Sequence, residues 1–340
     1  MSAIQTNVSI PTLAVHQPLD STAKLNFTYR NKIVNGLFNV WQRGVTFALA
    51  AAAYTADRWY VSLIGNVTRE SFLPGESELM DNSRYYLKTN PSGSDAAFIE
   101  QRVESVWTLA GKQTTLTFWA KSKISGSTLS ISIVQNFGAT LTVSAGADVP
   151  TVVGTATLTT AWVKHTLTVT VPSIAGKTVG TDGDDYVALR FTLPVDDISI
   201  CNVQWEQGPL ATDLELRPYD EELRLCRRFY EQLDLADPVL VYVDDVLTET
   251  KYQDALVGIG MTGLTAKFII PYQEKRAAPA ITIPGELQIV GNTGTPTWTN
   301  YNTTKSMGNM LATVVSGLIA EKAVIGYATE ACSIQIEAEL

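Results

Sequence analysis

The side chains that most often carry chemistry are scarce in this 340-residue sequence. There are two histidines, His16 and His165. A Ser-His-Asp or Cys-His arrangement would have to be built on one of them. His16 sits in a Thr/Ser/Asn-rich start, and His165 alternates with Val163, Leu167 and Val169 in a strand pattern. His165 therefore reads as a hydrogen-bonded strand residue, and no catalytic residue is assigned. The same shortage excludes metal sites built on imidazole. Cys201, Cys226 and Cys332 are far apart and lack the close spacings of metal or redox pairs, so they read as buried reduced thiols.

The best oxygen cluster is Asp182, Asp184 and Asp185, in Thr-Asp-Gly-Asp-Asp-Tyr. Calcium takes several carboxylates and carbonyls close together, so these three are the metal candidates and calcium the one candidate cofactor. Their spacing departs from the helix–loop–helix calcium pattern, and Asp and Gly before a strand equally make a plain turn. Gly176-Lys177-Thr178 is similar to the end of a phosphate-binding loop, but the glycine needed five residues earlier is Val171. It reads as a turn. Trp59, Trp107, Trp119, Trp162 and Trp205 offer rings on which sugars stack, although a sandwich buries most such side chains. At most one or two should face an open groove, and no carbohydrate-binding residue is assigned. The facing carboxylates of a glycosidase leave no recognisable spacing among 34 acidic residues.

The elements that must position these residues follow a period of two from residue 35 to about 212. Leu116, Phe118 and Ala120 alternate with Thr115, Thr117 and Trp119, and Leu129, Ile131 and Ile133 alternate with serines. Val163, His165, Leu167 and Val169 share a face, with Lys164, Thr166, Thr168 and Thr170 opposite. Val187, Leu189, Phe191 and Leu193 repeat the scheme, and Ile198 to Trp205 adds a strand. Short antiparallel strands separated by turn residues predict a two-sheet sandwich. Tyr219, Leu223, Cys226, Phe229, Tyr230 and Leu233 instead fall three and four apart, which predicts a helix within 213–233. Pro218 suits its first position, acidic residues fill its first turn, and Asp237-Pro238 stops it. Strand signals resume in Val239–Val243, Ala255–Ile259, Leu264–Ile270, Ile281–Ile283, Leu287–Val290, Met310–Val315 and Ile334–Ala338. The fold class is thus all-β: a sandwich over 35–212, a linking helix over 213–233, and a smaller β domain over 234–340. Residues 1–34 read as an extended arm, dispensable for folding, that gains order on contact with a partner.

Charge narrows the partners. The net charge is −9, and the densest basic stretch, Arg224, Arg227 and Arg228, lies among Glu221, Glu222 and Glu231. Nucleic acid is an unsuitable partner for such a surface. The longest apolar patch, Phe47–Tyr54, is far short of the roughly 20 residues that span a bilayer. The start has no basic n-region or apolar core, so no secretory signal is read. No repeat of fixed period and no sustained heptad is present. Arg43, Arg58, Arg217, Asp57 and Glu206 form a set of candidate ion pairs, Asp57 with Arg58 and Glu206 with Arg43 or Arg217, tying the chain's start to its end.

Three stretches together resemble a family of phage and prophage tail or fibre proteins. They are Asn35-Gly-Leu-Phe-Asn-Val-Trp-Gln-Arg-Gly44 with Tyr54-Thr-Ala-Asp-Arg-Trp59, then Asp184-Asp-Tyr-Val-Ala-Leu-Arg-Phe191 leading to Val203-Gln-Trp-Glu-Gln-Gly208 and Thr212, and Arg217-Pro-Tyr-Asp-Glu-Glu-Leu-Arg-Leu-Cys-Arg-Arg-Phe-Tyr230. The usual Arg-Tyr-Tyr ending reads Arg228-Phe229-Tyr230. Pro271–Thr282 is similar to the start of the C-terminal β region of such proteins. The resemblance implies a jelly roll similar to carbohydrate-binding modules, a place in the virion beside other virion proteins, and a homo-oligomer, commonly a trimer. The expected function is a tail fibre or appendage subunit that helps attach to host-surface glycan without catalysis. A capsid decoration or head fibre protein and a polysaccharide-degrading tailspike are the alternatives. The expected route is synthesis in the host bacterial cytoplasm. Apolar segments at Ala255–Ile259, Leu264–Pro271 and Met310–Ile319 place the expected contact between copies in the C-terminal half.

Overall fold

Residues 163–170 show how the sequence pattern becomes a sheet: Lys164, Thr166, Thr168 and Thr170 are exposed, while Val163, His165, Leu167 and Val169 turn inward. The computed structural model describes residues 29–339 apart from 77–82, 93–96, 139–147, 236–255, 263–264, 283–286, 290–296, 304–306, 314–322 and 329–331. The strands before the helix are β1 (Thr46–Leu49), β2 (Ala53–Tyr54), β3 (Trp59–Ser62), β4 (Gly65–Ser71), β5 (Tyr85–Pro91), β6 (Ala97–Glu104), β7 (Gln113–Ser122), β8 (Thr128–Asn136), β9 (Val149–Thr157), β10 (Val163–Thr170), β11 (Tyr186–Leu193) and β12 (Ile198–Gln207). They form two antiparallel six-stranded sheets, ordered β1-β4-β5-β12-β7-β10 and β2-β3-β6-β11-β8-β9. From β5 onward the chain passes repeatedly from one sheet to the other, as in a jelly roll. Trp59, Trp205, Phe38, Phe118, Phe191, Leu87 and Ile99 fill the space between the sheets. Each large side chain so buried contributes about 1.5–3 kcal/mol.

Strand β12 breaks the alternation, because Ile198 through Glu206 are buried on both faces. Its outer face is covered by two flanking segments. Asn31 Oδ1 accepts hydrogen bonds from Ile33 N and Trp205 N, and Lys32 N donates to Trp205 O at 2.8 Å. Thr212 and Glu215 bond to Glu206 and Gln204 from the other side. The arm boundary at residue 34 therefore falls inside a fastened segment. Residues 29–34 belong with the sandwich, and 1–28 lie outside the described residues.

Helix α1 (Tyr219–Arg227) is shorter than its apolar spacing predicts. Pro218 occupies the N-cap rather than the first helical position, and Asp220, Glu221 and Glu222 fill the first turn as expected. The helix ends ten residues before Asp237-Pro238, because Tyr230–Leu235 forms β13. Strand pairing to the chain's end overrides a helical spacing that the local sequence allows. The strands that follow are β14 (Leu256–Thr262), β15 (Thr265–Pro271), β16 (Ala280–Thr282), β17 (Leu287–Ile289), β18 (Thr297–Thr303), β19 (Met307–Thr313), β20 (Ala323–Ala328) and β21 (Cys332–Glu337). They give a three-stranded sheet, β13-β21-β16, and a six-stranded sheet, β17-β20-β14-β15-β19-β18. Strands β18 and β20 are additions to the sequence reading. Val239–Val243 lies outside the described residues, as do the side chains expected to meet a second copy. Among the described residues no helix is long and apolar enough to cross a membrane.

His165 differs from its sequence reading. Its ring stacks on Phe118 at 5.2 Å, and its buried Nε2 has no hydrogen-bond partner. Burial pushes its pKa below 6.5. A proton is then bound more readily in the unfolded chain, so stability should fall as pH drops from about 7 to 5, through the ordinary histidine range. In urea unfolding across that interval, His165→Phe should flatten the slope. An unchanged slope in the variant would show that other groups set it.

Candidate functional site

The stretches 35–44, 54–59 and 217–230 build a buried hub. Asn35 has φ 56°, a left-handed conformation that asparagine tolerates better than most residues. Its side-chain nitrogen donates to Val40 O at 2.8 Å and Asp57 O at 3.0 Å, and its oxygen accepts from Val40 N at 3.0 Å. The Trp59 indole donates to Asn35 O, and Glu222 of α1 accepts from Asn35 N. A Cβ on Gly36 would collide with Val203 O, at the bulge of β12. Glycine is required there for the close approach.

The ion pairs around this hub differ from those expected. Asp57 accepts from Gln42 instead of pairing with Arg58. The Arg58 guanidinium lies 3.4 Å over the Phe229 ring and pairs with Glu339. Arg43 stacks 3.5 Å over Tyr230 and pairs with Glu337 and Glu339, each at 3.3 Å. Glu206 meets Arg30 at 3.5 Å, while Arg217 pairs with Glu215 and Glu222. Asp57 and Arg58 are each committed to other partners, Gln42 and Glu339, so the adjacent pair does not form. The start of the chain is tied to its end, through Glu337 and Glu339. Arg224, Arg227 and Arg228 each meet a carboxylate, from Glu221, Glu231 and Glu104.

The three aspartates are not gathered around one point. Asp185 is buried and accepts from Val106 N at 2.7 Å, which fixes the turn after β6. Asp182 is exposed beside Thr181, and Asp184 lies against Gly138. Among the described residues no group of three His, Cys, Asp or Glu side chains could hold a metal ion. Gly176 has φ 73° and Lys177 N donates to Ile174 O, which is the expected turn.

The tryptophans divide clearly. Trp59 and Trp205 are core residues, and the Trp205 indole donates to Thr114 Oγ1 at 2.9 Å. Trp107 is 67% exposed, on the turn before β7. Trp119 and Trp162 are half-buried on the outer face of the first sheet, at the far end of β7 and the start of β10. Trp162 packs against Phe72 at 5.2 Å and Tyr86 at 5.1 Å, with Phe72 to Tyr86 at 4.8 Å. Lys121 Nζ lies 4.8 Å from the Trp162 ring centre and 5.5 Å from that of Tyr86. Burial and the nearby Glu70 and Glu76 raise the Tyr86 pKa, keeping its hydroxyl a neutral donor. Beside the rings runs a groove of about 500 Å³ lined by Tyr86, Lys88, Lys121, Ser122, Lys123, Thr160, Asp197 and Ser199. Ring surface next to hydroxyl and ammonium donors, fixed on strands, matches what a sugar needs: an apolar face and polar edges.

A second cavity, of about 400 Å³, lies between Tyr54, Tyr60, Tyr230, Arg43 and Glu337. Its arginine is already committed to two rings and two carboxylates, so the groove on the first sheet is the stronger candidate. Sequence reasoning named Trp119 and Trp162 but missed Phe72, Tyr86 and the lysines. These come from separate strands, and only the strand order brings them together.

No protein-family model matches the sequence, and no curated protein matches it. Among solved structures, similarity is found to a candidate sugar-binding protein of Bacteroides thetaiotaomicron (17% identity, 52% of this chain and 100% of that one, TM-score 0.33). The C-terminal family 22 carbohydrate-binding module of Clostridium thermocellum Xyn10B is similar over 48% of this chain and 97% of its own (11% identity, TM-score 0.35). The enzymatically active domain of bacteriophage CBA120 tailspike protein 4 is similar over 53% of this chain and 22% of its own (18% identity, TM-score 0.31). Likenesses at these TM-scores decide nothing about this chain, and the sandwich assignment rests on its own strand order.

The division of tryptophans into core and platform is testable by stability. Trp205→Ala should cost about 3–5 kcal/mol in urea unfolding, as for other buried aromatic truncations. Trp162→Ala, on the half-open face, should cost less than about 2 kcal/mol. Equal losses would mean that Trp162 serves packing alone.

Proposed function

We propose that this chain is a non-catalytic structural subunit of a bacteriophage particle, a tail fibre or appendage protein whose sandwich binds glycan on the host surface. The observation that carries the binding part is the groove beside Tyr86 and Trp162, where half-buried rings and hydroxyl groups share one rigid sheet face. The virion part is supported by the three tail-fibre-like stretches of the sequence. These residues build the Asn35 hub and its ties to α1 and the chain's end, so the resemblance falls on the fold's own fastening. A capsid decoration role would leave the groove without an occupant. A tailspike hydrolase would need two facing carboxylates, and among the described residues Asp197 is the one carboxylate lining the groove. Assembly as a trimer, with residues 1–28 joining other virion proteins, completes the proposal.

The test is binding of the full-length protein to polysaccharides purified from candidate host cells, followed by calorimetry. The expected result is binding without release of reducing ends, weakened about three- to tenfold by Tyr86→Ala, the ring that lines the groove, since an aromatic contact is worth about 0.5–1.5 kcal/mol. Full affinity in the Tyr86→Ala protein would remove the groove from the account. Release of reducing ends would replace attachment by hydrolysis.

A further inference from the structure

The groove's charge is unlike that of the rest of the molecule. The chain carries 34 acidic against 25 basic residues, yet the groove is lined by Lys88, Lys121 and Lys123 against Asp197, with Glu70 and Glu76 acting on Tyr86 at its side. A fourth lysine, Lys164, stands on the same sheet face, paired in register with Trp119. The register also sets Lys88 and Lys121 on either side of Ser199, across three neighbouring strands. Strand spacing puts their Cα atoms about 10 Å apart, the span of about two sugar units, with a hydroxyl between them.

The arginines of this protein are mostly spent on carboxylates, as at Arg43, Arg58, Arg190, Arg217 and Arg228. Of the groove lysines, Lys88 makes one long ion pair, to Asp197 at 3.8 Å, and its side chain is 39% exposed. Among the described residues, Lys121, Lys123 and Lys164 have no carboxylate within ion-pair distance. Lys121 sits instead over two ring faces. An acidic protein gains nothing in solubility from concentrating unpaired ammonium groups around an aromatic patch. Such an arrangement lowers the local potential barrier that the net charge of −9 raises against an anion.

Resting on the glycan-binding reading, we infer that the groove selects acidic glycans, those carrying a carboxylate or a phosphate on the sugar. The rings and hydroxyls take the sugar body, as in the proposed function. Lys88 and Lys123 meet the anion at the groove's rim, and Lys121 is held in place by Tyr86 and Trp162. The positive charge is local, so the preference acts at contact range and is screened by salt.

The experiment uses the full-length chain and a panel of bacterial surface polysaccharides, each in three forms. These are the native form, a carboxyl-reduced form whose uronic acids have become neutral hexoses, and a dephosphorylated form. In about 50 mM salt the native acidic polymers should bind about five- to tenfold tighter than their neutralised forms, as two surface ion pairs allow. Loss on carboxyl reduction assigns the carboxylate as the bound anion, and loss on dephosphorylation assigns the phosphate. Raising the salt to about 0.5 M should bring the ratio close to one without any substitution. The double variant Lys88→Gln/Lys123→Gln, checked for an unchanged circular dichroism spectrum, should lower native-form affinity about fivefold and neutral-form affinity less than twofold. Native and neutralised forms binding equally well, or a ratio that survives both salt and the double variant, would overturn the acidic preference and leave glycan binding standing. Absence of binding to every polymer in the panel would overturn both.

Discussion

Asn35 holds three backbone groups with one buried amide, and the sandwich is laid out around those bonds. Val40 N, Val40 O and Asp57 O are all satisfied by its side chain, so the segment 35–44 folds back on 56–59 without a strand ladder. That fold-back puts Phe38 4.9 Å from Trp59 at the entrance to the core. The same residue's backbone then reaches Trp59 and Glu222, so core, turn and helix share one anchor. Buried polar networks of this type stabilise only when every member is satisfied, which makes them demanding of sequence. Asn35 meets that demand with its amide, and Gly36 leaves room for Val203 O.

A second layer of contacts carries this order to the far end of the chain. Arg43 and Arg58 flank the hub, and each is stacked on an aromatic ring of the segment that leaves α1. Their carboxylate partners, Glu337 and Glu339, follow from the pairing of β13 with β21. Lys275, fully buried, meets Glu231 at 2.6 Å in the same layer. Removing one member of such a pair strands a buried charge, whereas exchanging both for apolar residues need not destabilise. These pairs thus specify which strand joins the sandwich more than they add to its stability. The groove stands apart from this fastening, at the other end of β7, where side chains are free to serve a ligand.

The sequence reveals those elements whose environment is one-sided. Strand β10 has solvent on one face and core on the other, so its alternation from Val163 to Thr170 is plain. Strand β7 misleads, because Thr115 and Thr117, which read as outward, are buried, Thr115 Oγ1 donating to Gly208 O at 2.7 Å. Cover of that type comes from residues far along the chain and has no local signature. The end of α1 fails for a related reason: Phe229, Tyr230 and Leu233 fit a helical stripe, and only the arrival of β21 makes a strand of them. Strand β18, Thr297–Thr303, is rich in Thr and Asn and lacks an apolar face to read. The candidate site was legible only where a tryptophan marked it, since Phe72, Tyr86, Lys88, Lys121 and Trp162 are spread over 91 positions. The partners of Arg43 and Arg58 were invisible for the same reason, lying almost 300 residues away.

The central claim is that the Asn35 amide organises the sandwich, and the near-isosteric change Asn35→Asp tests it. The carboxylate keeps an acceptor for Val40 N but loses both donors, and it then faces the carbonyl oxygens of Val40 and Asp57. Equilibrium urea unfolding at neutral pH should show a loss of about 3 kcal/mol or more, because Asp57 O loses this donor, Val40 O keeps only its bond from Asp57 N, and a buried charge faces both. A loss below about 0.5 kcal/mol, the range of an ordinary surface substitution, would contradict the account.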